Sequence, residues 1–504
     1  MPWSHKTIIK ALKLKFSCGA AGYRELLLQN MPLPSLQTLR RSLEHIRFDS
    51  GILFEVFEFL QIKVENFEDG HRKDCVIVLD EMAITPAHTY DSALNKYLGH
   101  VTLPGHSGVA SHALVIMLGG ITMRWKQTVA YFFTGSSVNG TVYNDILTEI
   151  IIKSENLGLR VTSITSDMGS SNQALWKVWS VTAGRYSKTQ NSIPHPCDAT
   201  RKIFILADVP HLFKNIKNML VTNKLIKIPD EIQERYHLPN NIVNVAHIEE
   251  LIEFQKDLKF CLTPKVTEED LTPTHFQKMK VKFSSNVVNH SVSSALKFLS
   301  TELNKPEYKT TAWFLDIVEH WFTIMTSRHP VTALSKVKPE HYERELNFLQ
   351  DFIKIFQTMQ VGGKMSWKPS QTGVLISTQS ILDIQNVLLE EKGYIFLLTS
   401  RFTQDCIENL FSAVRCKQLV PNAVQFTNNL KIITAAQYIN DVCQSSYERD
   451  NRDFLTDFFK TKSASNKPKY SSVKLPSEVP IVNLKLNNSE LNSLYNIAGY
   501  LVSS

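Results

Sequence analysis

Two aspartates in this sequence follow short apolar runs and are candidates for metal binding. Asp80 comes directly after residues 75–79, which are all apolar or β-branched, and Asp167 follows the run 161–166, which is rich in β-branched residues. Such runs predict buried strands. A carboxylate at the end of a buried strand lies where the sheet opens to solvent, a common position for a metal ligand in α/β proteins. Alternatively, each aspartate is only the first solvated residue after its strand.

A third acid, Glu408, lies in a predicted helix. Apolar residues recur at helical spacing between 407 and 414, which predicts an amphipathic helix. Two strand-end aspartates and one helical glutamate can hold two divalent cations about 4 Å apart for an in-line displacement at phosphorus. Carboxylates are the hard oxygen ligands that Mg²⁺ requires, and Mn²⁺ accepts the same ligands. These residue types therefore indicate metal-dependent phosphoryl chemistry.

Four segments of the chain together resemble the P-element-type DNA transposases, a family with THAP-containing members in vertebrates. The segments are LDEM (79–82), TSDMGSSNQALW (165–176), DVPHLFKNIKNML (208–220) and QDCIENLFSAVR (404–415). They occur in the family's order, cover nearly the whole chain and are specific in combination. The resemblance implies an α/β fold with an RNase H-like mixed sheet flanked by helices. It also implies that Asp80, Asp167 and Glu408 form the catalytic, metal-binding triad.

The resemblance and the hydrophobic patterning predict five regions. The stretch between Asp167 and Glu408 is far longer than one crossover requires, so a mainly α-helical domain is inserted there. Strand 161–166 is expected to lie parallel to the first core strand, 75–82. Helices are predicted over 143–157, 212–220, 249–258, 280–303, 311–327, 340–359 and 374–389. The regions are 1–65 (helix-turn-helix-like), 70–220 (first part of the catalytic core), 221–380 (insertion domain), 381–445 (second part of the core, with Glu408) and 446–504 (polar linker and tail).

The N-terminal region holds most of the net positive charge and has the pattern of a helix-turn-helix. Three helices are predicted between residues 7 and 46, with a break at Gly19 and Gly22. Arg40 and Arg41 lie on the last of them, and in a helix-turn-helix the later helix enters the major groove of DNA. The alternative is a small helical subdomain with a solvated basic face.

Further polar residues are predicted around the triad. Asp208 and His211 form an acid-x-x-His motif that the family shares, and the resemblance places them near the active site. His211 would contact a scissile phosphate or steady a ligand; alternatively, Asp208 caps the following helix and His211 is structural. Asp405 shares a helical face with Glu408 and is expected to bind metal or a nucleotide-associated cation. Arg415 is expected to meet a DNA phosphate, or else to form a surface ion pair.

The family's insertion domain binds GTP without a P-loop, and this sequence likewise has no GxxxxGK[ST] motif. By resemblance, Lys280, Val281 and Phe322 approach the nucleotide, and Phe322 stacks on the base. Asn289 stands where serine is usual, and Thr323 stands where the family has an aspartate that accepts hydrogen bonds from guanine. The change to threonine is expected to weaken guanine selectivity by roughly a few kcal/mol. The alternative is that all these residues only pack helices.

Composition and cysteine spacing describe an intracellular folded protein. Of the 504 residues, 43% are hydrophobic and 20% are charged, as in ordinary globular domains. No apolar run is long enough for a membrane span, and no signal-peptide pattern is present. The seven cysteines include no CxxC pair, which argues against a zinc ribbon or a disulfide framework. A net charge of +7 is compatible with nucleic-acid binding, and the resemblance implies action in the nucleus.

The sequence thus predicts a P-element-like cut-and-paste transposase that uses Mg²⁺ or Mn²⁺ to hydrolyse DNA and to join a freed 3′ end to target DNA. Its expected partners are double-stranded DNA, at transposon ends and target, and further copies of itself. The family's zinc-coordinating THAP domain is expected to be absent, because no matching Cys/His pattern precedes Trp3. The alternative is a domesticated, non-catalytic DNA- or protein-binding protein that keeps the fold.

Overall fold

Two compact units make up the part of the chain that the structure describes. The computed structural model describes residues 3–44, 48–65, 67, 69–91, 95–135, 138–258, 261–274, 277, 280–363, 366–416 and 418–439. In the first unit these residues lie between 3 and 219 and between 320 and 439, and in the second between 220 and 319. The predicted linker and tail, 446–504, lies outside the described residues.

A seven-stranded mixed sheet is the centre of the first unit. The strands of this sheet are β1 (Gly51–Ile52), β2 (Asp74–Ala83), β5 (His112–Gly120), β6 (Lys126–Thr134), β7 (Arg160–Ser166), β8 (Ser192–His195) and β9 (Asp198–Ala207). Two further strands, β3 (Thr89–Asp91) and β4 (Lys96–Leu98), form a separate hairpin. The order in the sheet is β1-β6-β5-β2-β7-β9-β8. β2, β7 and β9 run parallel to one another, and the other neighbours are antiparallel. The predicted parallel placement of 161–166 is confirmed.

The register of β2 explains why Asp80 can be reached from solvent. The parallel ladder between β2 and β7 ends at the pair Val78 and Thr165. On its other edge β2 continues in antiparallel pairing with β5, with Asp80 opposite Val115, as far as Ala83. The prediction that Asp80 ends its strand is therefore wrong. Asp80 lies within β2, but beyond the end of the parallel ladder, where the sheet opens.

The helices that accompany these strands begin near their predicted positions. They are α1 (His5–Leu28), α2 (Leu36–Glu44), α3 (Phe54–Glu65), α4 (Gly140–Asn156), α5 (Ser170–Val178) and α6 (Val209–Asn223). The expected N-terminal break occurs at Gly19, whose φ of 71° is a left-handed conformation that glycine adopts readily, whereas Gly22 lies inside the helix. The predicted start of α4 at 143 is too late, because Asn139 caps the helix by accepting a hydrogen bond from the N–H of Thr141 at 3.1 Å.

The second unit is mainly helical, as predicted for the insertion. Its elements are β10 (Leu225–Lys227), α7 (Asp230–Arg235), β11 (Ile242–Asn244), α8 (Ala246–Phe254), α9 (Glu268–Leu271), α10 (Val281–Val287), α11 (His290–Glu302) and the first part of α12 (Tyr308–Met325). The single helix predicted over 280–303 is wrong. Asn289 is extended, with φ of −159°, and its side chain accepts a hydrogen bond from the N–H of Val292 at 3.0 Å, so it starts a new helix.

The chain after α12 belongs with the sheet. Its elements are β12 (Leu334–Ser335), α13 (Pro339–Thr358), β13 (Gln360–Val361), α14 (Pro369–Gln385), β14 (Phe396–Leu397), α15 (Asp405–Arg415) and α16 (Ala423–Ile439). α14 is buried almost along its whole length. The hydroxyl of Ser377 on α14 donates to the carbonyl of Ala207 on β9 at 2.9 Å. The second unit therefore ends well before residue 380, the predicted end of the insertion, because α13 and α14 pack in the first unit.

Candidate active site

Three carboxylates lie near one another where the sheet opens beside β2 and β7. Asp80 lies on β2, Asp167 follows β7, and Glu408 lies in the first turn of α15. All three residues are half-buried. Burial, followed by the negative charges of Glu408 and Asp167, raises the pKa of Asp80 well above its usual value. The structure thus brings Glu408 and Asp167 close enough to Asp80 for their charges to raise its pKa.

Main-chain and amide donors orient the two aspartates. Asp80 Oδ1 accepts a hydrogen bond from the N–H of Glu81 at 2.8 Å. Asp167 Oδ1 accepts one from the N–H of Gly169 at 2.9 Å and one from Asn172 Nδ2 at 2.5 Å. Hydrogen bonds to an ionised acceptor are stronger than those between neutral groups. Asn172, which the sequence did not single out, therefore helps to fix the direction of the Asp167 side chain.

A fourth carboxylate, Asp208, is buried beside the triad and is held by three donors. Asp208 Oδ2 accepts hydrogen bonds from the main-chain N–H of His211 at 3.0 Å and from its ring Nδ1 at 2.8 Å, and Oδ1 accepts one from the N–H of Gln404 at 2.7 Å. Burial by itself would raise the pKa of Asp208, but these donors and the charge of His211 hold it below its usual value. Burial disfavours protonated His211, yet Asp208 outweighs this, so the pKa of His211 is raised. Asp208 therefore caps α6 and also favours the protonated form of His211, which lies near Asp80.

Lys214 brings a second cation to the four carboxylates, and it was not predicted from the sequence. It lies one turn after His211 on α6 and is half-buried. Burial lowers the pKa of Lys214, and the charges of the four carboxylates oppose that shift. The spacing of three residues from His211 places both side chains on the same helical face. That spacing is the signal in the sequence that could have identified Lys214.

Two other acids near the site have partners of their own. Asp405 Oδ2 lies 2.5 Å from a terminal nitrogen of Arg328 in an ion pair. Glu81 accepts a hydrogen bond from the hydroxyl of Tyr143 at 2.7 Å. The Asp405 carboxylate thus ties the start of α15 to the segment that follows α12. Its predicted role in cation binding stays a prediction.

The donor set of the triad fits a divalent cation with a preference for oxygen ligands. Three half-buried carboxylates that repel one another are stabilised when positive charge lies among them. Mg²⁺ is commonly held by a few carboxylates, with water and substrate phosphate completing its octahedral shell. Asp80, Asp167 and Glu408 are therefore suited to hold Mg²⁺ or Mn²⁺.

The predicted DNA-binding arginines are found on exposed helices. Arg41 is exposed near the end of α2, whereas the side chain of Arg40 lies outside the described part of the chain. Arg415 is exposed at the end of α15, with its guanidinium carbon 6.0 Å from the centroid of the Phe411 ring. These positions leave the guanidinium groups of Arg41 and Arg415 open to solvent, and their role stays a prediction.

The predicted nucleotide-binding residues lie in both units. In the second unit, exposed Lys280 caps the start of α10, and half-buried Val281 follows it. In the first unit, Phe322 stacks on Phe213 of α6, with ring centroids 4.1 Å apart and ring planes 21° apart. Thr323 next to it is exposed. One face of the Phe322 ring is thus in contact with a protein aromatic ring, and the predicted stacking on a base stays a prediction.

Comparisons with known proteins agree with this arrangement. Residues 48–180 match the model of the TNP-like RNase H N-terminal domain, and residues 210–338 match that of the TNP-like GTP-binding insertion domain. The transposable element P transposase of Drosophila melanogaster is 26% identical over 467 residues, which cover 90% of this chain and 57% of that protein. The structure titled Drosophila P element transposase strand transfer complex matches with a TM-score of 0.74 and 23% identity, covering 87% of this chain and 94% of that chain.

The mixed sheet, the carboxylates beside it and the helical insertion define an RNase H-like fold, which confirms the predicted fold class. The chain belongs to the P-element-type transposase family. It spans 57% of the length of the Drosophila transposase that it matches. Among the residues described, no helix is both long and apolar enough to span a bilayer.

Proposed function

We propose that this chain is the catalytic core of a cut-and-paste DNA transposase acting in the nucleus. It would hydrolyse a phosphodiester at a transposon end and then join the freed 3′ end to target DNA. The observation that carries the proposal is the meeting of Asp80, Asp167 and Glu408 at one edge of the sheet, close enough that two of these charges raise the pKa of the third. Such a set of carboxylates on an RNase H-like sheet suits two-metal phosphoryl transfer.

The residues of the chain have distinct roles in this mechanism. Asp80, Asp167 and Glu408 would hold Mg²⁺ or Mn²⁺, which when bound activates the attacking oxygen and neutralises charge on the phosphate. The Asp167 carboxylate is oriented before any cation binds, because Gly169 and Asn172 donate hydrogen bonds to it. His211, whose pKa is raised by Asp208, and Lys214 both lie near the triad carboxylates, where they would bind phosphate oxygens as negative charge develops.

The alternative function is that of a domesticated DNA- or protein-binding protein without catalysis. The complete set of carboxylates favours the enzyme, because half-buried acids that repel one another cost stability and would not be needed for binding DNA. Exposed Arg41 and Arg415 are compatible with DNA contact under either function. Assembly into a homo-oligomer on two transposon ends is part of the proposal and follows from the family alone.

We also propose that the insertion domain binds a nucleotide and that it selects guanine only weakly over other bases. The match of residues 210–338 to the GTP-binding insertion domain supports binding of a nucleotide. Thr323, in place of an aspartate, offers no charged bidentate acceptor to guanine. GTP is therefore expected to bind with little preference over other purine nucleotides.

The proposal is tested by metal-dependent nicking of duplex DNA that carries the terminal repeat of the encoding element. Asp167→Asn should lose nicking in Mg²⁺ and in Mn²⁺ while the protein stays folded. Asp257→Asn, at an exposed aspartate of the second unit, is the matched control and should nick as the wild type does. Nicking that persists in Asp167→Asn at the wild-type rate would overturn the assignment of the triad.

A further inference from the structure

Gln404 touches the segments that carry three of the four acids at the site. Its side-chain Nε2 donates a hydrogen bond to the carbonyl of Leu79, the residue before Asp80, at 2.7 Å. Its main-chain N–H donates to Asp208 Oδ1 at 2.7 Å. Its carbonyl accepts a hydrogen bond from the N–H of Glu408 at 3.0 Å, as expected of the residue that caps α15.

These contacts join elements that are far apart in the sequence. The parallel ladder of β2 and β7 ends at Val78, so the amide of Gln404 supplies a donor for the next carbonyl on β2. Through that bond, α15 and its Glu408 are fixed against the strand that carries Asp80. A metal site needs its ligands held within roughly 0.5 Å, and the groups that orient the ligands control affinity.

Stability alone does not explain a glutamine at this position. Gln404 is only 1% exposed, and its side-chain Oε1 accepts no hydrogen bond from the residues that the structure describes. A buried acceptor without a donor lowers the stability of the fold. A methionine of similar length would avoid that cost, although it would lose the bond to Leu79. The amide is therefore better explained by the geometry it imposes on the site.

We infer that Gln404 is a positioning residue that sets Glu408 relative to Asp80 and thereby sets the affinity of the site for divalent cations. This inference rests on the proposed function. Gln404 acts through its bonds to Leu79, Asp208 and the first turn of α15, and it does not itself contact DNA or a cation.

The test compares Gln404→Met with Gln371→Met. Gln371 is also fully buried in the first unit, and its Nε2 donates to the carbonyls of Phe356 at 2.8 Å and Met359 at 3.3 Å. Both substitutions remove a buried amide that donates to main-chain carbonyls, but only one lies at the carboxylates. Mn²⁺ affinity is measured by calorimetry on the full chain, and strand transfer is measured as a function of Mn²⁺ concentration, with Glu408→Gln as a reference.

Gln404→Met should bind Mn²⁺ roughly tenfold more weakly than the wild type, and saturating Mn²⁺ should restore much of its strand transfer. Gln371→Met should keep wild-type Mn²⁺ affinity even where its melting temperature falls. Equal Mn²⁺ affinity in the two glutamine variants would overturn the inference. Should Gln404→Met fail to fold, Gln404→Asn, whose shorter amide cannot reach Leu79, provides the same comparison.

The reference variant separates this inference from the proposed function. If Glu408→Gln leaves Mn²⁺ binding and strand transfer unchanged, the proposed function itself fails. If Glu408→Gln abolishes both and Gln404→Met behaves as Gln371→Met does, only the role of Gln404 fails.

Discussion

His211 Nδ1 lies 2.8 Å from Asp208 Oδ2, so that an imidazole and a buried carboxylate form a hydrogen-bonded pair beside Asp80. The same carboxylate accepts a hydrogen bond from the main chain of Gln404, just before the helix that carries Glu408. The Asp208 carboxylate therefore joins the start of α6 to the start of α15, and it raises the pKa of an imidazole that lies next to a cluster of acids.

The Asp208–His211 pair predicts a defined pH window for its contribution to stability. The pKa of Asp208 is lowered in the folded protein, so its contribution is present at higher pH and is lost as pH falls through that lowered value. The pKa of His211 is raised, so its contribution is present at lower pH and is lost as pH rises through that raised value. Between these limits, His211→Gln should cost roughly 1.5–3 kcal/mol in the free energy of unfolding, the usual contribution of a hydrogen bond to a charged group.

Denaturant titrations of the wild type and His211→Gln across pH measure this window. The difference between the two proteins should shrink at both ends of the pH range. The exposed His88→Gln serves as the control and should show little difference from the wild type throughout. A His211→Gln effect that is constant across pH would contradict the ionic character of the pair.

Asp80→Asn should stabilise the protein in the absence of divalent cations. The pKa of Asp80 is raised by burial and by Glu408 and Asp167, which means that its charged form is unfavourable in the fold at neutral pH. As pH falls through that raised pKa, the carboxyl takes up a proton and the penalty disappears. The neutral amide removes the same penalty, and each unit of pKa shift corresponds to about 1.4 kcal/mol.

Thermal unfolding in chelator and in Mg²⁺ tests this expectation. The melting temperature of Asp80→Asn should exceed that of the wild type in chelator, and Mg²⁺ should raise the melting temperature of the wild type only. A lower melting temperature for Asp80→Asn in chelator would contradict the account of repelling carboxylates.

Lys214→Met should reduce strand transfer by roughly 10- to 100-fold, since the cation would bind phosphate as charge develops on it. Lys214→Arg should retain part of the activity because it keeps the charge, although with a different geometry. Lys177→Met, at an exposed lysine of α5, is the matched control. Single-turnover rates on pre-cleaved transposon ends provide the measurement. If Lys214→Met carried out strand transfer at the wild-type rate, Lys214 would have no role in the mechanism.

Asp74→Asn should destabilise the first unit by about 2–3 kcal/mol, because it leaves two cations without their anion. Fully buried Asp74 starts β2 and accepts hydrogen bonds from Arg160 at 2.9 Å, Lys392 at 2.7 Å and Tyr394 at 2.6 Å. Both cations are partly exposed, so water reduces the loss. Denaturant unfolding measures the effect.

The exposed ion pair of Asp49 and Lys96 provides the control for Asp74. Asp49→Asn should change the free energy of unfolding by less than about 1 kcal/mol. Equal losses in the two variants would show that the buried network around Asp74 contributes no more than a surface pair.

Thr323→Asp should increase the preference of the chain for GTP over ATP by roughly tenfold or more, since a carboxylate can accept two hydrogen bonds from guanine. Calorimetric titration with both nucleotides measures the ratio. Thr301→Asp, at an exposed threonine of the second unit, controls for the added charge. Strong GTP selectivity in the wild type would show that Thr323 does not have the predicted effect.

The strands and helices were predictable from hydrophobic periodicity, whereas the RNase H-like fold and the grouping of Asp80, Asp167 and Glu408 were predicted from the resemblance to the P-element-type transposases. The parallel placement of 161–166 beside β2 was predicted from the order of strands in an RNase H-like sheet, and the pairing of the two strands confirms it. The predicted strand 75–82 and β2 differ by one residue at each end. The prediction that Asp80 ends its strand was wrong, because the antiparallel pairing of β2 with β5 that continues past Asp80 is a tertiary contact that no local pattern reveals. The caps at Asn139 and Asn289 were missed because asparagine is common in loops and in caps alike.

The supporting residues of the site were harder to predict than the acids. Gln404 bonds to Leu79, and the two are separated by most of the chain, so only the folded structure shows the contact. Lys214 shares α6 with one other lysine, Lys217, and only its spacing of three residues from His211 distinguishes it in the sequence. The ion pair of Asp405 with Arg328 joins residues that are 77 positions apart, and no local pattern in the sequence predicts it.

The most direct test of the catalytic proposal is strand transfer of a pre-cleaved terminal-repeat end into target DNA, measured in Mg²⁺ or Mn²⁺ with wild type and Glu408→Gln. The proposal predicts metal-dependent joining by the wild type and no joining by Glu408→Gln, with both proteins equally folded. Joining by Glu408→Gln at the wild-type rate, or a folded wild type that binds Mn²⁺ and DNA without joining them, would contradict it.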